Sequence, residues 1–202
     1  MIRIMRRIYI TRHGESEGNS RGFISFTHTP LTARGHKEAQ KLGERLTKEK
    51  IKFDRVYCSP LYRSLQTLDE LLKAKIKVKE ENIEINELLK EINRKEFEGK
   101  PRELYYVQKE KSKSPEDYRC RGGESENDVK KRAQKFLRLI RKKGDKTILI
   151  ITHGHFLRHF MALLGFPSGL SHPHGCSLSL VEVSSEKEKP KLIFWNDISH
   201  LL

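Results

Sequence analysis

Cysteine is scarce in this chain. Its three residues, Cys58, Cys120 and Cys176, are odd in number and far apart, and none stands in a CxxC pair. That excludes a disulfide framework and points to a reducing compartment, the cytoplasm. Long apolar runs are missing too: nothing approaches the roughly 18 consecutive apolar residues that cross a bilayer, so no membrane association is expected. Residues 1–10 are basic and apolar but lack the extended apolar core of a signal peptide. Internal repeats and Pro/Ser-rich linkers are absent, which leaves one ordinary domain with at most a small cap. Acid is in deficit as well, with 27 Asp and Glu against 41 Lys and Arg and a formal charge of +14. The excess favours anionic partners, namely nucleic acid, acidic lipid or phosphorylated metabolites, without choosing among them.

What is present alternates. Residues 8–11 are β-branched and aromatic and run out at Gly14, the pattern of a buried strand opening into a loop. Thr32 can cap a helix whose Ala39, Leu42 and Leu46 share a face. Residues 53–58 form a second strand stopped by Ser59-Pro60, and residues 61–73 read as a helix. After a polar middle, residues 124–143 carry Val129, Ala133, Leu137 and Ile140 as a helical stripe. Residues 147–152, TILIIT, are apolar between polar ends, as in a sheet covered on both faces. Residues 156–164 are helical in pattern, and 178–183 and 191–195 close the chain as strands. Strands that alternate with helices imply an α/β domain with a largely parallel sheet.

In such sheets ligands bind beyond the carboxyl ends of the strands. Two of those ends carry Arg12-His13-Gly14 and His153-Gly154-His155, so histidines 140 residues apart in sequence are expected to meet at one sheet edge. A neutral imidazole is a competent nucleophile toward phosphorus, and a phosphohistidine splits one hard hydrolysis into two easier steps. Phosphoryl transfer otherwise needs positioning and cancellation of charge. Arginine supplies both through its permanently protonated fork. Gly14 would let phosphate approach the backbone after His13, and a protonated His153 would add a positive donor.

The residues also carry a family likeness. Arg12-His13-Gly14-Glu15-Ser16 with Asn19, Thr29-Pro30-Leu31-Thr32 with Gly35 and Gln40, and residues 59–67 (SPLYRSLQT) occur in that order. Gly122-Gly123-Glu124-Ser125, Thr152-His153-Gly154 and a closing Asn196-Asp197 with His200-Leu201 follow them. From about residue 6 onward this series resembles the histidine phosphatase superfamily, also called phosphoglycerate-mutase-like. The resemblance implies a three-layer α/β/α sandwich with a mostly parallel central sheet, and a small cap insertion around residues 92–121. It implies His13 as the phosphorylated nucleophile, and a phosphate pocket of Arg12, Arg63 and His153 with Asn19 as a supporting donor. Gly14, Ser25, Gly154 and His155 are further candidates for substrate contact. The proton donor of the family lies in a block that here reads from Leu89 to Gly99, and its spacing aligns Glu91, with Glu87 and Glu98 as rivals. An acid of this kind needs a pKa raised toward neutrality by burial or by neighbouring anions, substrate phosphate included. Lys95 stands where the family carries glycine, and His28 where an aspartate often precedes Pro-Leu-Thr.

A phosphatase hydrolysing phosphate monoesters of small molecules is therefore the expected function. Only 30 residues separate Glu91 from Gly122, which suits a smaller cap than that of the alternative, a cofactor-dependent phosphoglycerate mutase. A non-catalytic phosphate- or nucleic-acid-binding module is the third reading. His153-x-His155, His155-x-x-x-His159 and His172-x-His174 have ligand spacings. No Asp-rich or Cys-rich partner set accompanies them, so neither metal nor cofactor is expected; His155 and Arg158 read better as substrate contacts near the mouth. The basic runs at 73–79, 109–113 and 141–146 have no interleaved aromatics and read as solvated helix ends rather than a nucleic-acid surface. Oligomeric state stays open, a homodimer included.

Overall fold

The computed structural model describes residues 6–167, 169–184 and 188–202; residues 1–5, half of the N-terminal stretch read for a leader, lie outside the described residues. In chain order the strands are β1 (Arg6–Arg12), β2 (Arg55–Cys58), β3 (Ile83–Ile85), β4 (Thr147–Thr152), β5 (Leu178–Val183) and β6 (Lys191–Asp197). The helices are α1 (Glu17–Ser20), α2 (Ala33–Lys48), α3 (Tyr62–Lys73), α4 (Arg102–Glu110), α5 (Glu126–Lys143) and α6 (Gly154–Leu163). One six-stranded sheet has the order β3-β2-β4-β1-β5-β6. The first four strands in that order run parallel, and β5 and β6 are antiparallel additions.

The apolar run of β4 is divided between two cores by the period-two alternation of a strand. Ile148 and Ile150 join Val129, Phe136 and Ile140 of α5 and Phe156 and Phe160 of α6. Leu149 and Ile151 join Ala39, Leu42 and Leu46 of α2 and Leu68 and Leu71 of α3. Helices therefore cover both faces, and the three-layer α/β/α arrangement is the one expected. Each fully buried Leu, Ile or Phe contributes about 1.5–3 kcal/mol of transfer free energy, so the doubly covered sheet is the main source of stability.

Local signals set most boundaries. Thr32 accepts the Gly35 N–H and starts α2, and Ser125 forms a capping box with Asp128. That cap delays α5 to Glu126 rather than 124. His153 is the N-cap of α6, which therefore begins at Gly154, earlier than the apolar stripe indicates. The expected strand 53–58 begins at Arg55. β3 was not legible in the polar middle: three residues at a sheet edge are too short to show a period. Residues 92–121 hold a single helix of any length, α4, and short turns around a separate small core of Ile24, Phe97, Tyr105 and Cys120. Among the described residues no helix is long and apolar enough to cross a membrane.

Candidate active site

Because β1, β2 and β4 are parallel neighbours, their carboxyl ends open on the same edge. Arg12 lies opposite Thr152 in register, and His13 N donates to Thr152 O at 3.0 Å. His13 and His153 thus leave adjacent strands side by side, with ring centroids 5.0 Å apart. The meeting of the two His-Gly pairs is a consequence of strand register.

His13 is buried, at 3% exposure. Its Nδ1 is 2.7 Å from Gly14 O, so the ring proton is assigned there and Nε2 keeps its lone pair. Arg63 Nε donates to that Nε2 at 3.2 Å. Burial, then the charges of Arg63 and Arg12, hold the His13 pKa well below its ordinary value. The imidazole is therefore neutral, with its Nε2 lone pair accepting from Arg63. Arg63 stands in the first turn of α3 and is itself buried; burial lowers its pKa to about 10, which leaves it protonated.

His153 is fully buried, and its Nε2 lies 2.7 Å from Ser59 Oγ and 3.3 Å from Ser64 Oγ. Burial, Arg63, His13 and Arg12 hold its pKa well below the usual range. This corrects the expectation of a protonated His153: with two arginines already beside it, a third positive charge is not favoured. Its Nδ1 has no hydrogen-bond partner among the described residues, and neither has Arg12 Nε.

Glu91 follows a short turn after β3. Its Oε1 accepts the N–H of Ile92 at 2.9 Å and that of His155, in the first turn of α6, at 3.2 Å. Burial pushes the Glu91 pKa up, but His155, Arg94, the Ile92 N–H and Arg63 outweigh it and the net shift is downward. The raised pKa expected of a proton donor is therefore not present before phosphate arrives. Glu87 is exposed and paired with Lys90, and Glu98 is paired with Lys95 at 3.8 Å.

Arg12, His13, Arg63, Glu91, Asn19, Ser25 and His155 line one cavity of about 660 Å³. Asn19 Oδ1 is engaged by Ser16 in the cap of α1, which leaves its amide N–H groups for the cavity. His153, Gly14 and Gly154 do not line it. The Gly14 N–H is donated to Thr67 Oγ1 at 3.1 Å, and a Cβ at Gly14 would lie 2.4 Å from Gly35 O. The structure thus gives Gly14 a packing reason instead of phosphate approach. Gly154 likewise clears space for His172, whose Nε2 a Cβ there would meet at 2.9 Å. Arg158 is exposed and reaches His155 Nδ1 at 3.0 Å without lining the cavity. Lys95 opens a short helical turn and does not need the left-handed backbone that favours glycine. His28 stacks on Phe26, which is in the wall.

Sequence reasoning missed Arg94, Arg102, Arg132 and Tyr106, all of which line the cavity. Nothing local marks them; Arg94, Arg102 and Tyr106 come from residues 92–121 and Arg132 from α5. It missed Glu126 as well. This buried carboxylate meets His155 Nδ1 at 3.1 Å, His159 Nε2 at 2.7 Å and Lys109 Nζ of α4 at 2.8 Å. Two of the histidines read for metal spacing, His155 and His159, are thus engaged by a carboxylate that ties α4 to α5 and α6. Replacing Glu126 by Gln strands these partners and is expected to cost about 3 kcal/mol, read as a fall in Tm. Burial raises the Glu126 pKa, but His155, His159 and Lys109 bring it far below 4.5. Its stabilisation is therefore complete above pH 4.5 and is lost as pH falls below that value, because only the unfolded chain takes up the proton there. The wild type should lose Tm on acidification below pH 4.5 more steeply than E126Q.

A cationic cavity with a nucleophile held free of its proton suits a dianionic phosphoryl group, and fold and site together define an α/β phosphoryl-transfer enzyme. Residues 8–198 match the histidine phosphatase superfamily (branch 1), and the chain belongs to that family. A protein of Hydrogenobacter thermophilus provisionally named phosphoserine phosphatase 2 is 28% identical over 97% of this chain and 98% of its own length. The Bacillus stearothermophilus YhfR structure superimposes with a TM-score of 0.82 at 27% identity, covering 98% of this chain and 100% of that one. Phosphoserine phosphatase of Entamoeba histolytica, solved with 3-phosphoglyceric acid, gives 0.78 at 25% identity over 98% and 100%. Bacterial 2,3-bisphosphoglycerate-dependent phosphoglycerate mutases also match, several of them over 34% of this chain.

Proposed function

We propose that this protein is a phosphatase that hydrolyses phosphate monoesters of small molecules, without a metal, through a phosphohistidine on His13. The observation that carries the reading is the state of His13: neutral, its Nδ1 proton held by Gly14 O and its Nε2 lone pair beside Arg63. Nε2 attacks phosphorus and the P–O bond to the alcohol breaks. The leaving oxygen takes the proton of Glu91, whose pKa rises once the phosphate dianion enters the site. Water then attacks the phosphohistidine, Glu91 takes back a proton, and inorganic phosphate leaves His13 as it began. Arg12 and Arg63 cancel charge on the equatorial oxygens, and Arg12 Nε, without a partner among the described residues, is a donor for one of them; His153, behind the cavity wall, backs this pocket. Asn19, Ser25 and His155 are the remaining substrate contacts.

The relatives support the phosphatase class, and a small cap formed by residues 92–121 over a single domain supports a site open to water. The mutase reading shares this chemistry, and product analysis separates the two. Phosphate release from a panel of metabolite esters, in EDTA, is expected to exceed interconversion of 3- and 2-phosphoglycerate. Interconversion outpacing release would select the mutase, and binding without turnover a non-catalytic module. Three free, buried cysteines support a cytoplasmic location.

A further inference from the structure

The outer faces of α2 and α3 mix their charges: Arg34 pairs with Glu38, Arg45 with Glu49, and Lys73 with Asp69 and Glu70. α5 does not. From residue 130 to its end at Lys143, every exposed position of this helix is lysine or arginine. Lys143 reaches Glu84 at 2.7 Å. Lys130, Lys131, Lys135, Arg138, Arg141 and Lys142 form no ion pair among the described residues. The acids of the first turn are already engaged, Asp128 by Ser125 and Arg119 and Glu126 by His155, His159 and Lys109. The basic run at 141–146 read from sequence as a solvated helix end; in the structure it is the tail of a face that extends back to Lys130.

Helical geometry lines these charges up. Lys131, Lys135, Arg138 and Lys142 fall within a band of about 60°, in a straight row about 17 Å long, with Lys130 and Arg141 along one side of it. Like charges three and four residues apart repel on a helix, so the row does nothing for α5 itself. The helix is held instead by Val129, Ala133, Phe136 and Ile140 in the core. An anion lying along the row relieves the repulsion, and shape decides which anion fits. Each strand of a nucleic-acid duplex carries a phosphate about every 3.4 Å of axis, so the row matches about five consecutive phosphates. A membrane surface would need apolar groups to insert, and the exposed positions of this face are all charged. Single strands are held on aromatic platforms, and the one aromatic of α5, Phe136, is fully buried. None of the six residues lines the catalytic cavity, so the face is separate from that site.

We propose that the outer face of α5, built on Lys131, Lys135, Arg138 and Lys142, binds the phosphodiester backbone of double-stranded nucleic acid without reading base sequence. The proposal is independent of the phosphatase reading. Fluorescence anisotropy of labelled duplexes of about 20 base pairs, one of DNA and one of RNA, tests it on the whole chain. Four neutralised phosphates give a log–log salt slope near −3.6, so affinity should fall about 150-fold between about 50 and 200 mM salt. K131Q/K135Q/R138Q/K142Q should make that slope shallower by about 3 to 4 and bind at least about tenfold more weakly at the lower salt. K37Q/K48Q/K52Q/K77Q removes the same charge from exposed lysines outside α5 and should stay within about threefold of wild type, as expected if contact at α5 and not net charge sets the affinity. Glutamine keeps the helix propensity of lysine and arginine, so the Tm of the α5 variant should match the wild type. If it does not, K131Q/K135Q and R138Q/K142Q carry the test, each reducing the slope by about 2. No binding of either duplex at low salt, or equal weakening by the control variant, overturns the proposal. So does a single strand of the same length bound as tightly as the duplex. Vesicles of phosphatidylserine and phosphatidylcholine bound more tightly than either duplex, with loss in the α5 variant, overturn it in favour of an acidic membrane.

Discussion

Replacing His13 with alanine is expected to lower kcat on phosphate esters by on the order of 10⁴-fold or more, the scale seen when a covalent nucleophile is removed. The size follows from the site's design. Arg12 and Arg63 can hold a phosphate without His13, so binding survives, but the imidazole lone pair held beside Arg63 is gone. The wild type, quenched during turnover with labelled substrate, should carry an acid-labile, alkali-stable phosphoryl group that H13A lacks. A folded H13A that keeps activity within tenfold of wild type would sink the phosphohistidine. The pH dependence carries a second signature. Burial, Arg63 and Arg12 depress the His13 pKa, so its lone pair remains available well below pH 6.5 and the acid limb of kcat/KM lies below that value. R63M removes a neighbouring positive charge, raises the His13 pKa and should move the acid limb to higher pH.

The second large effect is expected at Glu91. E91Q should lower kcat for an alkyl phosphate by on the order of 10²- to 10⁴-fold, the usual worth of a placed general acid. The loss should be much smaller for 4-nitrophenyl phosphate, whose leaving oxygen needs little protonation. Equal loss on both esters would argue that Glu91 acts only by binding. Burial favours the protonated carboxyl, but His155, Arg94, the Ile92 N–H and Arg63 reverse that in the empty site. The alkaline limb of kcat/KM, which reports the free enzyme, should therefore begin in the acid range. Bound phosphate raises the Glu91 pKa, so the corresponding limb of kcat should lie at higher pH, and E91Q should lack both. E87Q should change little, because Glu87 is exposed and engaged by Lys90.

Sequence by itself determined the parts of this protein that depend on local period and local chemistry. TILIIT at 147–152 reads as a doubly covered strand because the four residues between its threonines put only apolar side chains on both faces. The Thr32 cap settles where α2 begins. His13 and His153 could be placed at one edge because parallel strands bring their carboxyl ends together. Tertiary structure decided what depends on charge at a distance. The neutrality of His153 follows from Arg63, His13 and Arg12 converging on a buried ring, a sum over three segments that no window of sequence contains. Gly14 looked like room for phosphate and proved to be room for the backbone of Gly35. Arg94 and Arg102 lie in a polar stretch without period, and only the docking of the cap, held by Glu126 on Lys109, His155 and His159, turns them toward the cavity. Chemistry at the phosphate end was written in short motifs because strand ends present it directly. The wall of the cavity formed by Arg94 and Arg102 was not, since it is assembled from long-range contacts between side chains that are individually ordinary.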